Sequence, residues 1–241
     1  MNIIPTQIKS HHTVVTPIRA EDHVEMEKLP TTIKGLTYRY SVKNNPDHYN
    51  NLDGYWYPSN AGTKTKDVSL DDQEVIHEYL QKALSQKEKI VIVEIGVHRA
   101  AFDDEHSSTK VFLDNKRPQD IYIGIDIEEK KQLQDSSKNI FTLQARSEDK
   151  NTVLRFLKEH HVDKIDLFMI DGYHSINQVY KEWEYTELLS EDGMVLFHDT
   201  NGHPGPYFVL QSIDTDMYDV YKYFTDILDY GMGVAVRKTP P

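Results

Sequence analysis

From residue 69 onward, short apolar runs alternate with polar stretches that carry apolar residues at helical spacing. Ile90–Glu94 (IVIVE) is a continuous β-branched run followed closely by Gly96, as expected of a strand buried on both faces of a parallel sheet. Ile121–Ile125, Asn139–Leu143, Leu167–Ile170 and Met194–Phe197 repeat the pattern. The spacing of Ile76, Tyr79, Leu80, Ala83 and Leu84 predicts a helix that starts at an N-cap Ser69, with Asp71 and Asp72 in its first turn. Further helices are predicted over Ser108–Leu113 and about Asn151–His160. Another follows Ser175, where Gln178 completes a capping-box pattern and Ile176, Val179, Tyr180 and Trp183 make one apolar face. The tail offers two more strands, Val220–Phe224 and Met232–Val236, with no long helix between them. The alternation predicts a Rossmann-like α/β fold: a mostly parallel sheet with helices on both faces and an antiparallel edge from the C-terminal strands.

Residues 1–68 lack this periodicity and are read as an irregular N-terminal segment preceding a domain at 69–241. Turn formers and aromatics mix densely from Asn44 to Gly62. Either Tyr55, Trp56 and Tyr57 pack a surface segment onto the domain, or they form a lid or substrate wall.

Length and charge narrow the options. A chain of 241 residues suffices for one substantial core. With 39 acidic against 27 basic residues the net charge is −12, which argues against nucleic acid as the main partner. The absence of cysteine excludes disulfides, thiolate nucleophiles and zinc–thiolate sites. The N-terminus does not read as a secretory signal and no apolar run is long enough to span a bilayer. A cytoplasmic enzyme acting on a small molecule is the expectation, with no membrane or nucleic-acid partner; homo-oligomerisation stays open.

Candidate chemistry clusters at strand ends, because ligands of open α/β sheets bind outside the carboxyl ends of the strands. Asp171 and His174 follow one run, and His198 and Asp199 end another. Two carboxylates with imidazoles nearby suit a divalent cation and a proton acceptor. For His174 the alternative is a helix-entry residue, and for His198 a packing or outer-shell role. At the first strand end Gly96 would let a ligand approach the backbone. Asp126 ends the second strand, where a carboxylate can take a ribose diol, and Ala145, Arg146 and Ser147 follow the third. His11, His12, His98, His106 and His203 lack the spacing of a metal cluster and read as surface or loop residues.

The order VEIGV, IGIDI, IDGYHS and LFHDT resembles class I S-adenosylmethionine-dependent methyltransferases. It is most similar to the branch holding cephalosporin-hydroxylase-like proteins and metal-dependent sugar and macrolide O-methyltransferases. The match runs from about Ile90 to Lys238. The resemblance implies that Glu94 and Gly96 meet the methionine end of the cofactor, Asp126 the ribose, and Ser147 the adenine. It implies metal-binding roles for Asp171 and Asp199 and makes His174 the proposed base. His198 stands where the macrolide enzymes carry an acid, and is a third candidate ligand for Mg2+, Ca2+ or Mn2+. The expected reaction is O-methylation of a small hydroxylated metabolite, such as a sugar or polyketide-like natural product. The rivals are a non-catalytic cofactor-binding or scaffold protein and a hydroxylase. No facial triad of two histidines and a carboxylate is evident, which argues against iron oxygenase chemistry.

Overall fold

The computed structural model describes residues 24–52, 72–97, 107–223 and 231–239, together with the backbone of strands β1 (Val15–Arg19) and β4 (Gly54–Tyr57). The predicted strands form β5 (Val91–Ile95), β6 (Ile121–Asp126), β7 (Ile140–Gln144), β8 (Ile165–Ile170), β9 (Leu189–His198), β10 (Tyr218–Tyr223) and β11 (Met232–Arg237). They join one seven-stranded sheet in the order β7-β6-β5-β8-β9-β11-β10. All neighbours from β7 to β9 are parallel, while β11 runs antiparallel to both β9 and β10. The C-terminal hairpin is therefore present, and its second strand inserts between β9 and the edge strand β10.

Side-chain alternation along the strands divides the core into two layers. Leu167 and Met169 of β8, and Met194 and Leu196 of β9, join α2 (Asp72–Gln86) and α3 (Ser108–Asn115) on one face. Phe168, Ile170, Val195 and Phe197 point the other way, onto α4 (Lys150–Glu159), α5 (Ile176–Trp183) and α6 (Pro204–Ser212). Helices thus cover both faces, as the run of apolar strand residues requires. The predicted N-cap Ser69 lies outside the described residues. At α5 the Ser175 hydroxyl accepts from Gln178 N, but the Gln178 amide does not return the bond. It donates instead to Ser147 Oγ and to the carboxylates of Glu148 and Glu182.

Within the N-terminal segment the described residues hold regular elements. β2 (Met26–Leu29) and β3 (Arg39–Val42) pair antiparallel, α1 (Pro46–Tyr49) follows, and β1 and β4 pair parallel. Residues 24–52 dock on α5 and α6: Trp183 Nε1 donates to Lys34 O at 3.0 Å, Tyr180 OH accepts from Tyr40 N at 2.7 Å, and Leu36 and Val42 enter the main core. Asn177 N donates to Asn50 O, and the Tyr173 hydroxyl to Asn51 O. These bonds bring residues 50–51 to the loop that carries His174. The side chains of Tyr55, Trp56 and Tyr57 lie outside the described residues.

Candidate active site

Parallel pairing of β8 with β9, with Ile170 opposite Phe197, delivers Asp171 and the pair His198–Asp199 side by side at the carboxyl end of the sheet. Asp199 has φ +61°, a left-handed conformation that costs a β-carbon residue on the order of 1 kcal/mol and recurs at functional sites. Its carbonyl accepts from Gly202 N at 3.2 Å and His203 N at 3.1 Å, closing a turn that swings His203 back over its own carboxylate. The entries of α5 and α6 are then locked together. Gly205 N donates to His174 O at 2.8 Å, and a Cβ on Gly205 would lie 2.4 Å from that oxygen. Only glycine permits this approach.

Five side chains converge as a result. His174 Nε2 lies 3.3 Å from Asp171 Oδ1 and 3.4 Å from Asp199 Oδ2. His198 Nδ1 lies 3.0 Å from Asp199 Oδ1 and 3.6 Å from Asp171 Oδ1. His203 Nε2 is 3.7 Å from Asp199 Oδ2, and the His174 and His203 rings sit 4.5 Å apart. His203 is only 3% exposed, so its reading as a surface or loop residue is corrected: it caps α6 facing inward. A grouping of two histidines and a carboxylate, absent from sequence spacing, is present in space. His11, His12, His98 and His106 lie outside the described residues.

Asp72, read from sequence as a helix-dipole acid, has a second role. Its Oδ2 is 2.9 Å from His198 Nε2, fixing the ring across the sheet from α2. Burial alone would lower the His198 pKa, but Asp171, Asp199 and Asp72 reverse this and hold it well above the ordinary histidine value. Asp199 is buried too, yet His198 and His174 hold its carboxyl well below the usual range. The surrounding carboxylates thus favour the protonated form of His198.

The donor set fits a divalent cation. Ligand atoms of Asp171, His198 and Asp199 all lie within 4.8 Å of one another. The buried His198 Nδ1 has no hydrogen-bond partner although Asp199 is near. Asp72 behind His198 matches the carboxylate–histidine–metal arrangement, in which an outer acid orients the ligand ring. Hard carboxylate oxygens favour Mg2+, Ca2+ or Mn2+, with the cation exchanging for the imidazole proton.

The other strand ends are placed less simply. Gly96 has φ +85°, and a Cβ there would stand 1.8 Å from the Asp171 carbonyl oxygen. The glycine is required by this backbone approach. The Glu94 carboxylate is fully buried and accepts from Ser108 Oγ at 2.5 Å, Thr109 Oγ1 at 2.8 Å and Tyr122 OH. Burial raises it to about 7 against those three bonds. In this structure Glu94 organises the entry of α3.

Asp126 closes β6. Its Oδ1 accepts from Glu128 N at 2.7 Å, and Oδ2 lies 3.9 Å from Lys130 Nζ. Burial raises the Asp126 pKa. The adjacent Ile127 is 67% exposed, an apolar surface beside the carboxylate that sequence reading passed over. Ala145 N donates to Asp126 O, which aligns the third strand end with the second. Arg146 turns outward and pairs with Glu148 at 2.5 Å, because that carboxylate lies two residues away on the same exposed turn. Ser147 is buried, and its hydroxyl donates to Glu182 Oε1 at 2.6 Å. At this strand end an acid and an exposed apolar side chain stand next to each other.

No family model matches this chain, and no curated protein matches it. Solved structures do. The apo structure of CalS11, a TDP-rhamnose 3'-O-methyltransferase of calicheamicin biosynthesis, superposes with a TM-score of 0.51 at 13% identity, covering 68% of this chain and 78% of that one. The MycE methyltransferase of the mycinamycin biosynthetic pathway, in complex with Mg and SAH, gives a TM-score of 0.50 at 14% identity over 68% of this chain. The chain spans 48% of MycE. The shared feature is the Rossmann-like fold, a mostly parallel sheet with helices on both faces. Among the described residues no helix is long and apolar enough to cross a membrane.

Proposed function

We propose that this protein transfers a methyl group from S-adenosylmethionine to a hydroxyl of a small metabolite, a sugar or polyketide-like natural product, assisted by a divalent cation. The observation that carries the reading is the convergence of Asp171, Asp199 and His198, with His174 Nε2 within 3.4 Å of both carboxylates. The fold of a sugar O-methyltransferase and of an enzyme holding Mg and SAH supports the reaction and substrate class.

Asp126 would hold the ribose, Ile127 would lie against the purine, and the third strand end from Ala145 to Ser147 would wall the base. Asp171, Asp199 and His198 would hold the cation, with Asp72 orienting His198. When bound, the donor supplies an activated methyl group and the cation acidifies the acceptor hydroxyl. The protein's own work is alignment and proton removal. His174 sits one residue before the α5 cap with its Nε2 aimed at the carboxylates. In its neutral form this imidazole would accept the acceptor's proton.

Transfer of labelled methyl from the donor to a panel of sugars and polyketide-like alcohols tests the reading. Activity should vanish in excess chelator and return with Mg2+. His174→Ala and His174→Gln should each lower turnover on the order of 10²–10⁴-fold with donor binding retained. Turnover by either variant near the parental rate, or full activity in chelator, would overturn it.

A further inference from the structure

Asp199 faces two ways. Its Oδ1 belongs to the carboxylate-rich group with Asp171 and His198, while Oδ2 looks toward two imidazoles, 3.4 Å from His174 Nε2 and 3.7 Å from His203 Nε2. The ligand atoms of His174, Asp199 and His203 all lie within 4.8 Å, and all three residues are buried. A tetrahedral ion bonded at about 2.1 Å has ligand–ligand edges of about 3.4 Å. Both nitrogen-to-oxygen edges approach that value before any ion is placed. The three ligands are held from separate anchors. Asp199 stands in its left-handed turn, His203 follows four residues on through a backbone bond to Asp199, and His174 is tied to Gly205 by its carbonyl. Asp171 Oδ1, 3.3 Å from His174 Nε2, stands at the rim as a fourth donor.

Two imidazoles and one carboxylate form a softer set than two carboxylates and one imidazole. Nitrogen donors gain most from borderline first-row ions, with affinity rising from Mn2+ through Co2+ to Ni2+ and Cu2+, whereas Mg2+ favours oxygen and retains water. The entries of two helices, α5 and α6, also meet here, and their N-terminal dipoles favour the neutral imidazoles that ligation needs. We propose that His174, Asp199 and His203 form a second cation position, distinct from the carboxylate-rich one, which selects Co2+, Ni2+, Cu2+ or Zn2+ over Mg2+. The assignment does not depend on methyl transfer, although an ion there would engage the nitrogen that the proposed reaction uses as its base.

The test is metal binding itself. Metal-free protein in saturating Mg2+ is titrated with Co2+ and followed by visible absorption. The parent should develop the bands of a low-coordinate nitrogen and oxygen site that excess Mg2+ does not displace. His203→Asn should weaken Co2+ at least tenfold. Because a buried substitution can disturb folding, pulsed EPR of Cu2+ on the unaltered protein gives a second reading: two imidazoles for this position, one for the carboxylate-rich group. A single imidazole, displacement of Co2+ by Mg2+, or retained Co2+ affinity in a folded His203→Asn would overturn the proposal.

Discussion

Glu182 is a buried carboxylate whose second oxygen has no partner, and it sets up a pH-dependent stability that one substitution should remove. Its Oε1 accepts from Ser147 Oγ at 2.6 Å and Gln178 Nε2 at 3.1 Å, while Oε2 is buried without a hydrogen bond. Burial raises its pKa to about 7 from an ordinary 4.5. A raised carboxyl pKa means that between pH 4.5 and 7 the folded chain holds a proton the unfolded chain has lost. Stability is therefore full below about pH 4.5 and declines as pH rises through about 7. The rise from 4.5 to about 7 corresponds to about 3 kcal/mol lost by pH 8. Glu182→Gln preserves the accepting oxygen and places a neutral amide where the charge would be. Urea unfolding of both proteins at pH 4.5, 6, 7 and 8 should show the variant's advantage grow by about 3 kcal/mol across the series. Glu94, also raised to about 7 by burial, bends both profiles alike and cancels in the difference. A difference that stays flat from pH 4.5 to 8 would refute the reasoning.

Gly96→Ala places a Cβ 1.8 Å from the Asp171 carbonyl oxygen at φ +85°, so it should cost about 2–4 kcal/mol in urea unfolding; a loss under 0.5 kcal/mol would contradict the tight β5–β8 junction. Asp72→Ala releases His198 Nε2 and should weaken Mg2+ about 10–100-fold by calorimetry. Unchanged affinity would mean that His198 is not a ligand.

The centre of the sheet was legible because β5, β6, β8 and the second half of β9 are buried on both faces and announce themselves as apolar runs. α6 was not, because HPGPYFVLQS begins with His-Pro-Gly-Pro, which reads as loop. Prolines in a first helical turn sacrifice only N–H groups that have no intrahelical partner, so a helix starts there without penalty. Missing α6 hid His203, whose approach to Asp199 depends on a turn with positive φ, a feature no periodicity reports. Asp171, Asp199 and His174 were legible because strand ends collect in parallel sheets. Asp72 was recognised only as a helix-start acid, since its contact with His198 spans 126 residues. Glu94 and Gly96 were located correctly at a strand end, but whether a strand-end group faces ligand or protein depends on neighbours that are distant in sequence. Here these are Tyr122 and the Asp171 backbone.

The central claim is that the strand ends beside Asp126 take the sulfur nucleoside of methyl transfer. Calorimetric titration of S-adenosylhomocysteine, with NAD as the comparison, tests it most directly. The account predicts a single site for S-adenosylhomocysteine, weakened at least tenfold in Asp126→Ala, and no heat from NAD. Binding of NAD with no response to the sulfur nucleoside would contradict it.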